Sequence, residues 1–572
     1  MPIIHFINEQ MCLEIPAGGE TLLQAQIRAG LQPDAPCGGK GSCGKCAVRI
    51  RETGSDAFHT VLACQTRAQC DLELHTICTE ANARVLTEGV SARSSLNPQI
   101  EIENIHVESC RRGESTSDWD RFKDALNIVF GARAWRVNLP LASLLGERIR
   151  TNDGNLTAVV CGDIVLDAHT ALRRHAMIAF DVGTTSIAGY LIDVESGATL
   201  ARAGMLNPQR QFGADVIQRA DHALAGGMDD LTNAVRGAID DLAGQLCASA
   251  GIDRDEIYAA SCVGNSCMHH LLLGVSPASL SRAPYNPAVS EAMILDSSAL
   301  NLRLHAGAPV LMPPVIAGFV GADTVGCLLA GHWESIRPIT LMIDIGTNGE
   351  IVLGNASRRI ACSTAAGPAF EGAKISCGMR GGTGAIDHVW IDQDRVQWHV
   401  IGDGQPTGIC GSGLIDLVSV LLQTGEIDES GRLTNGSEYR LGDTAVTLTH
   451  KDIREVQLAK AAICAGIRLM AGKLGIQVSD VAQVCIAGAF GSFMNPESAL
   501  NIGLLPPELR RVPIAAVGTA AGEGACMVLK DRGAWAIASD LAKNTEFLEL
   551  ATLPDFQDEF IDALEFGIGE NA

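Results

Sequence analysis

The chain has 572 residues, 47% of them hydrophobic and 19% charged, with a formal net charge of -23. That length exceeds one ordinary core and implies roughly three or four domains, while the acidic balance argues against nucleic acid and anionic membrane surfaces as partners. The N-terminal stretch lacks the basic and apolar regions of a secretory signal, and no apolar run approaches the ~20 residues of a membrane span, so a cytoplasmic location is expected.

The first predicted elements are a strand "IIHFI", a turn, a strand "MCLEI" and a short helix "TLLQAQIRAG" that Gly30 stops. Next comes "APCGGKGSCGKCAVRI" (35–50), with cysteines spaced C-x5-C-x2-C, and "LACQT" adds Cys64. "CAVRI" and "DLELH" read as further strands. The scattered Cys247, Cys262, Cys327, Cys464 and Cys485 read as small core residues of a reducing compartment. Zinc sites usually show two C-x2-C pairs, and only one is present. Gly38, Gly39, Gly41 and Gly44 allow a loop to wrap closely and aim backbone N–H groups at bridging sulfides, which favours an iron–sulfur cluster.

A small sheet crossed by one helix, with this cysteine loop, resembles a β-grasp ferredoxin. The spacing is similar to that of plant-type [2Fe–2S] ferredoxins with one extra residue in the first gap, as in the adrenodoxin-like branch. The resemblance assigns Cys37, Cys43, Cys46 and Cys64 as ligands, with Cys70 the rival for the fourth place.

Residues 83–105 lose hydrophobic periodicity and read as a linker after a ferredoxin domain over 1–82. A small α+β domain follows over 106–172, with helix-like "SDWDRFKDALNIVF" and "LASLLGERI" and strand-like "LTAVVCGDIVL". The remainder, 173–572, alternates strand and helix patterns and reads as α/β.

Within it, "IAFDVGTTSIAGYLIDVESG" (178–197) and "LMIDIGTNGEIVLGN" (341–355) repeat one pattern, with Asp181 and Asp344 163 residues apart. Each unit is a strand, a tight Gly-Thr turn and a returning strand. Alone, D-x-G-T is an ordinary hairpin turn; in duplicate it can aim N–H groups and hydroxyls at phosphate and hold magnesium, usually through water. No G-x-x-x-x-G-K-[ST] is present, which excludes a P-loop enzyme. "GDGQPTGICGSGLIDL" (402–417) and "STAAGPAFEGA" (363–373) read equally as anion-binding turns or as connections, and Asn207, Gln209 and Asp215 as a polar patch or a solvated helix start.

The pair of motifs resembles the two phosphate loops of the acetate and sugar kinase/Hsp70/actin superfamily, whose duplicated lobes clamp ATP. The expected lobes are 173–336 and 337–572. "VCIAGAFGSFMNP" (484–496) is similar to that superfamily's adenosine segment. Carried over, Asp181, Gly183, Thr184 and Thr185 form the first loop; Asp344, Gly346, Thr347 and Asn348 form the second; Gly488, Ala489 and Gly491 flank adenosine. Asp181 and Asp344 are the expected catalytic carboxylates. The base for the attacking water stays open among Asp181, Asp344, Asp215 and Asp323.

A ferredoxin fused to an ATP clamp resembles the ATP-dependent reductive activators of corrinoid proteins, and "VGNSCMHHLLLG", "IAGFVGADT", "DIREVQLAKAAICAGI" and "GAFGSFMNPESALNIGLLP" read as that family's stretches. The resemblance implies a [2Fe–2S] cluster, ATP and Mg as cofactors, a corrinoid methyl carrier reduced from Co(II) to Co(I), and an upstream low-potential donor. It is compatible with a homodimer and implies neither nucleic acid nor membrane as partner. The alternatives are an activator of a radical dehydratase, a small-molecule kinase with a fused ferredoxin, and an actin-like assembly module.

Overall fold

A computed structural model describes the chain apart from positions 1, 17, 18, 32, 34, 36–38, 40, 42–44, 54, 56, 77–94, 111, 347, 373 and 568–572. Cys37, Cys43, Thr347 and much of the expected linker therefore lie outside the described residues.

The N-terminal sheet runs in the order Met11–Glu14, Ile3–Phe6, Leu72–Thr76, Ala47–Glu52, His59–Leu62. Ile3–Phe6 pairs in parallel with Leu72–Thr76 and all other pairs are antiparallel. The helix Leu22–Arg28 starts at a capping box: Thr21 Oγ1 accepts from Gln24 N at 3.2 Å and Gln24 Oε1 accepts from Thr21 N at 2.9 Å. Its Leu22, Leu23 and Ala25 close a core with Ile4, Phe6, Val48, Leu72 and Leu74 that is separate from the others.

The next domain is a four-stranded sheet, Ile100–His106, Asn155–Cys161, Ile164–His169, Arg136–Val137, packed against helices Asp118–Phe130 and Leu139–Thr151. Two expectations change here. The expected linker reached residue 105, yet Ile100–His106 pairs along its whole length with Asn155–Cys161. The stretch read as one strand, "LTAVVCGDIVL", is a hairpin turning at Gly162. This domain is fixed to the next by buried Asp167, which pairs with Arg148 at 2.6 Å and accepts from the Tyr258 hydroxyl at 3.2 Å.

The remaining chain holds two lobes whose large sheets share a five-strand plan and differ in the edge at which a sixth strand is added. The first lobe orders its strands Thr199–Leu206, Ser186–Asp193, Ala176–Val182, Ile257–Gly264, Pro309–Met312, Met293–Asp296. The second orders them Ile514–Gly518, Gln483–Ala487, Thr340–Ile345, Gly349–Gly354, Arg359–Thr364, Thr545–Phe547. In each, the first strand lies centrally between an antiparallel returning strand and a parallel crossover strand, and is apolar on both faces because helices or the opposite lobe cover it.

Strand alternation decides which residues see the other lobe. Ile178, Phe180 and Val182 enter the first lobe's own core, whereas Met177 and Ala179 enter a core shared by both lobes. Leu341, Ile343 and Ile345 likewise face the second lobe's core and Met342 the shared one. Helices Ala322–Ala330 and Ala520–Lys530 cross within this shared core, where a Cβ on Gly524 would lie 2.2 Å from the Gly326 carbonyl oxygen. Only glycine permits that approach. Among the described residues no helix is long and apolar enough to cross a membrane.

Candidate functional site

The alternation that buries Met177 and Ala179 against the opposite lobe puts Asp181 on the same face, and that of Met342 does the same for Asp344. Glu350 is directly across the ladder from Asp344. Asp323 lies in the first turn of the crossing helix Ala322–Ala330. Four carboxylates thus gather between the lobes, and of these Glu350 carries no signal in the sequence motifs.

Burial, then Asp323 and Asp344, pushes the Asp181 carboxyl up to about 8. Burial and Asp344 push Asp323 up to about 7. Burial pushes Asp344 up to about 6 and, with Asp323 and Asp344 adding, holds Glu350 well above its ordinary value. Such a site favours protons or a cation. Among the described residues no three acids converge closely enough to ligate an ion directly.

Stability inherits a pH dependence from these carboxyls. A carboxyl whose pKa is higher folded than unfolded binds an extra proton in the fold, so its stabilisation is complete below about pH 4 and is lost as pH rises through the folded value. Without nucleotide or divalent cation, the melting temperature is expected to fall between pH 5.5 and 8.5, as stability drops by about 1.4 kcal/mol per pH unit for each proton so held. Asp181→Asn should remove the upper part of that decline. A parent melting temperature flat or rising through this window would contradict it.

The first Gly-Thr turn is held from behind. Asn207 Nδ2 donates to the Gly183 carbonyl at 2.8 Å, and its backbone N–H to the Thr185 carbonyl at 2.9 Å. Asn265 Nδ2 donates to Thr184 Oγ1 at 2.8 Å, and fully buried Arg219 donates to the Thr184 carbonyl. Burial lowers that guanidinium to about 10. Asn207 and Gln209 are buried supports rather than a solvated surface, and Asp215 caps the helix Val216–His222 by accepting from Gln218 N at 2.8 Å.

In the second turn the Gly346 N–H donates to the Asn348 carbonyl at 2.9 Å. Gly488, at φ +85, begins the short helix Gly488–Gly491, and a Cβ there would be 2.6 Å from Asp344 Oδ1. The segment read as adenosine-binding therefore touches the second carboxylate. Ala489 lies in that helix, and Gly491 packs so tightly that a Cβ would meet Ile486 at 2.4 Å. The 402–417 stretch resolves into a turn leading to the buried helix Gly411–Gln423.

In the N-terminal domain Cys46 and Cys64 bring their sulfurs to 3.2 Å. Two thiolates on one tetrahedral metal at about 2.3 Å stand about 3.7 Å apart, so the pair fits a shared ion after a small adjustment. Gly39 and Gly41 adopt φ +80 and +77, and Gly39 lies against the Cys64 Cβ, the glycine-only wrapping that sulfide ligation needs. Cys70 is exposed, and partial desolvation with neighbouring Glu52 and Asp71 raises its thiol. Lys45, beside Cys46, donates to the Gly378 carbonyl of the second lobe at 2.7 Å. The N-terminal domain is thereby tied to the second lobe at Lys45.

Duplicated sheets facing each other across carboxylate-bearing Gly-Thr hairpins, joined to a glycine-wrapped cysteine loop, define a ferredoxin-linked protein of the ASKHA ATPase class. Four family models match: a 2Fe-2S iron-sulfur cluster binding domain over residues 5–69, the RACo linker region over 90–174, the RACo middle region over 176–334 and the C-terminal ASKHA domain of RACo over 338–570. The corrinoid activation enzyme RamQ of Eubacterium limosum is 33% identical, covering 97% of this chain and 98% of its own. A Methanosarcina barkeri protein, "[Co(II) methylated amine-specific corrinoid protein] reductase", is 26% identical over 59% of this chain and 66% of its own. A solved structure named "Reductive activator for corrinoid, iron-sulfur protein" superposes with a TM-score of 0.76 at 30% identity, covering 99% of this chain and 98% of that one. The chain belongs to the RACo family of reductive activators of corrinoid proteins.

Proposed function

We propose that this chain couples ATP hydrolysis to one-electron reduction of a corrinoid methyl carrier from inactive Co(II) to Co(I). The observation that carries the reading is the continuous path between the two halves. Lys45 of the cysteine loop is bonded to Gly378, and the segment that leads to Gly378 begins at Glu371, which accepts from Thr185 of the first phosphate loop at 2.8 Å.

In this reading Cys37, Cys43, Cys46 and Cys64 hold a [2Fe–2S] cluster, which when bound supplies a one-electron carrier. Gly183, Thr184 and Thr185 cradle phosphate from the first lobe, and Gly346, Thr347 and Asn348 from the second. Gly488, Ala489 and Gly491 let adenosine approach the backbone. Asp181 and Asp344 would hold Mg, which when bound would offset phosphate charge, and their burial among other acids fits a cation there. Asp323 and Glu350 share that load. An upstream low-potential donor re-reduces the protein after each transfer.

The experiment compares Cys64→Ser with Cys70→Ser. The parent, isolated anaerobically, should carry about two irons and two sulfides per chain and remove the Co(II) paramagnetic signal of its cognate corrinoid protein when given reductant and Mg-ATP. Cys64→Ser should lose the cluster and the activity together, and Cys70→Ser should keep both. The reverse pattern would move the fourth ligand to Cys70, and an iron-free parent that still removes the signal would refute the relay.

A further inference from the structure

Asp181 and Asp344 account for charge around phosphate and cation, but the base for the attacking water has no occupant among them, since these acids crowd one another and would be drawn to a cation. Asp215 is spent on its helix cap. One acid outside that group bonds to the first phosphate loop and stands near the second. Glu371 ends the turn Pro368–Glu371 in the second lobe, and its Oε2 accepts from Thr185 Oγ1 of the first lobe at 2.8 Å. Its Oε1 is 3.9 Å from where a Cβ on Gly346 would stand, and the Asn348 carbonyl oxygen, also at 3.9 Å, is the other atom near that point. The carboxylate thus lies between the two loops.

Its position is fixed from both sides. Phe370 is buried and stacks on Phe490 of the adenosine segment, with ring centroids 5.4 Å apart and an interplanar angle of 17°. Gly372, at φ +75, lies so close to the Met379 backbone that a Cβ would be 2.6 Å from its N. Glu371 is therefore held between the adenosine segment and a tight loop, and cannot swing away with a surface side chain's freedom.

We infer that Glu371 is the catalytic base of ATP hydrolysis, an assignment that rests on the nucleotide-site reading above. Water oxygen bonds to the γ-phosphorus as the bond from that phosphorus to the β–γ bridging oxygen breaks, the electron pair leaves on ADP, and the water proton passes to the Glu371 carboxylate. The Thr185 hydroxyl that now donates to Glu371 turns to a phosphate oxygen when ATP enters, which frees a carboxylate lone pair for water. Because Thr185 and Glu371 come from opposite lobes, the base reaches the γ-phosphate only when the lobes are closed. Hydrolysis then reports closure.

The test uses the full, cluster-loaded chain and its Glu371→Gln and Glu371→Asp variants. Glutamine keeps an oxygen to accept from Thr185 but takes no proton. Binding of a fluorescent ATP analogue with Mg should change less than about threefold in Glu371→Gln, while single-turnover hydrolysis falls about 10²–10³-fold across pH 6–9. Glu371→Asp should recover part of that loss with a shifted acidic limb in its pH profile. Hydrolysis by Glu371→Gln at or above the parent rate would overturn the inference and leave Glu371 a latch between the lobes. Loss of analogue binding in Glu371→Gln alone would overturn it in favour of a binding role. A parent chain that binds no Mg-nucleotide would bring down the nucleotide reading beneath it as well.

Discussion

Asp344→Ala is expected to reduce Mg-dependent ATP hydrolysis by about 10³-fold or more while leaving the visible spectrum of the iron–sulfur cluster unchanged. The size of the effect follows from position. Asp344 is at the end of a central strand, opposite Glu350, against Gly488, and within electrostatic range of Asp181 and Asp323. A divalent cation with a polyphosphate needs fixed negative charge and a shaped cradle at one point, and preorganised groups of this kind are worth several kcal/mol each in a water-poor cleft. Asp181→Ala should behave in the same way from the other lobe. The cluster is spared because the N-terminal domain closes a core of its own, with Ile4, Phe6, Leu22 and Leu74 among its residues. Nucleotide titration and iron analysis on the same preparation check both halves of the statement. Parent-rate hydrolysis by both variants would refute the phosphate-loop assignment.

What is legible in the sequence is whatever local pattern determines. The D-x-G-T duplication is written in period-2 strands, so both the sheet repeat and the facing of Asp181 and Asp344 can be read from it. The cysteine loop is legible because glycines crowded between cysteines signal a backbone that must wrap closely around something, and Gly39 and Gly41 do sit at left-handed φ. Pairings between distant segments are not legible. Thr185 and Glu371 are 186 positions apart, and Glu371 sits in a stretch, "STAAGPAFEGA", whose glycines and alanines suit a connection as well as a site. Asn265 caps the helix Ser266–Leu273, and its side-chain N–H group reaches Thr184, 81 positions away, only through the fold. Strand Ile100–His106 reads as linker because its alternation breaks: Asn104 falls on the face of Ile100 and Ile102, and Ile105 on the face of Glu101 and Glu103. Its ladder partner supplies the pairing, and Arg133 and Arg532 compensate Glu101 at 2.7 and 3.0 Å.

The largest effect concerns the coupling of the two halves. Plant-type clusters lie near about -400 mV, and the Co(II)/Co(I) couple is expected lower still. Every ~59 mV uphill costs a factor of ten in a one-electron equilibrium, so a ferredoxin module acting alone would leave most cobalt oxidised. The lobes offer a source for the difference: closure on Mg-ATP would draw Thr185 and the Glu371–Gly378 segment onto the nucleotide, and Lys45 of the cysteine loop is tied to that segment. A ligand can shift such an equilibrium only by its differential affinity for the two states, which makes ATP the lever and partner recognition the readout.

The decisive measurement is therefore the absorption spectrum of the cognate corrinoid protein, mixed anaerobically with this chain and a reductant able to reduce the cluster, followed with and without Mg-ATP. The Co(I) spectrum should appear only when Mg-ATP is present, and Asp344→Ala, with its cluster intact and reducible, should fail to produce it. Complete formation of Co(I) in the absence of nucleotide would contradict the coupling of ATP to electron transfer.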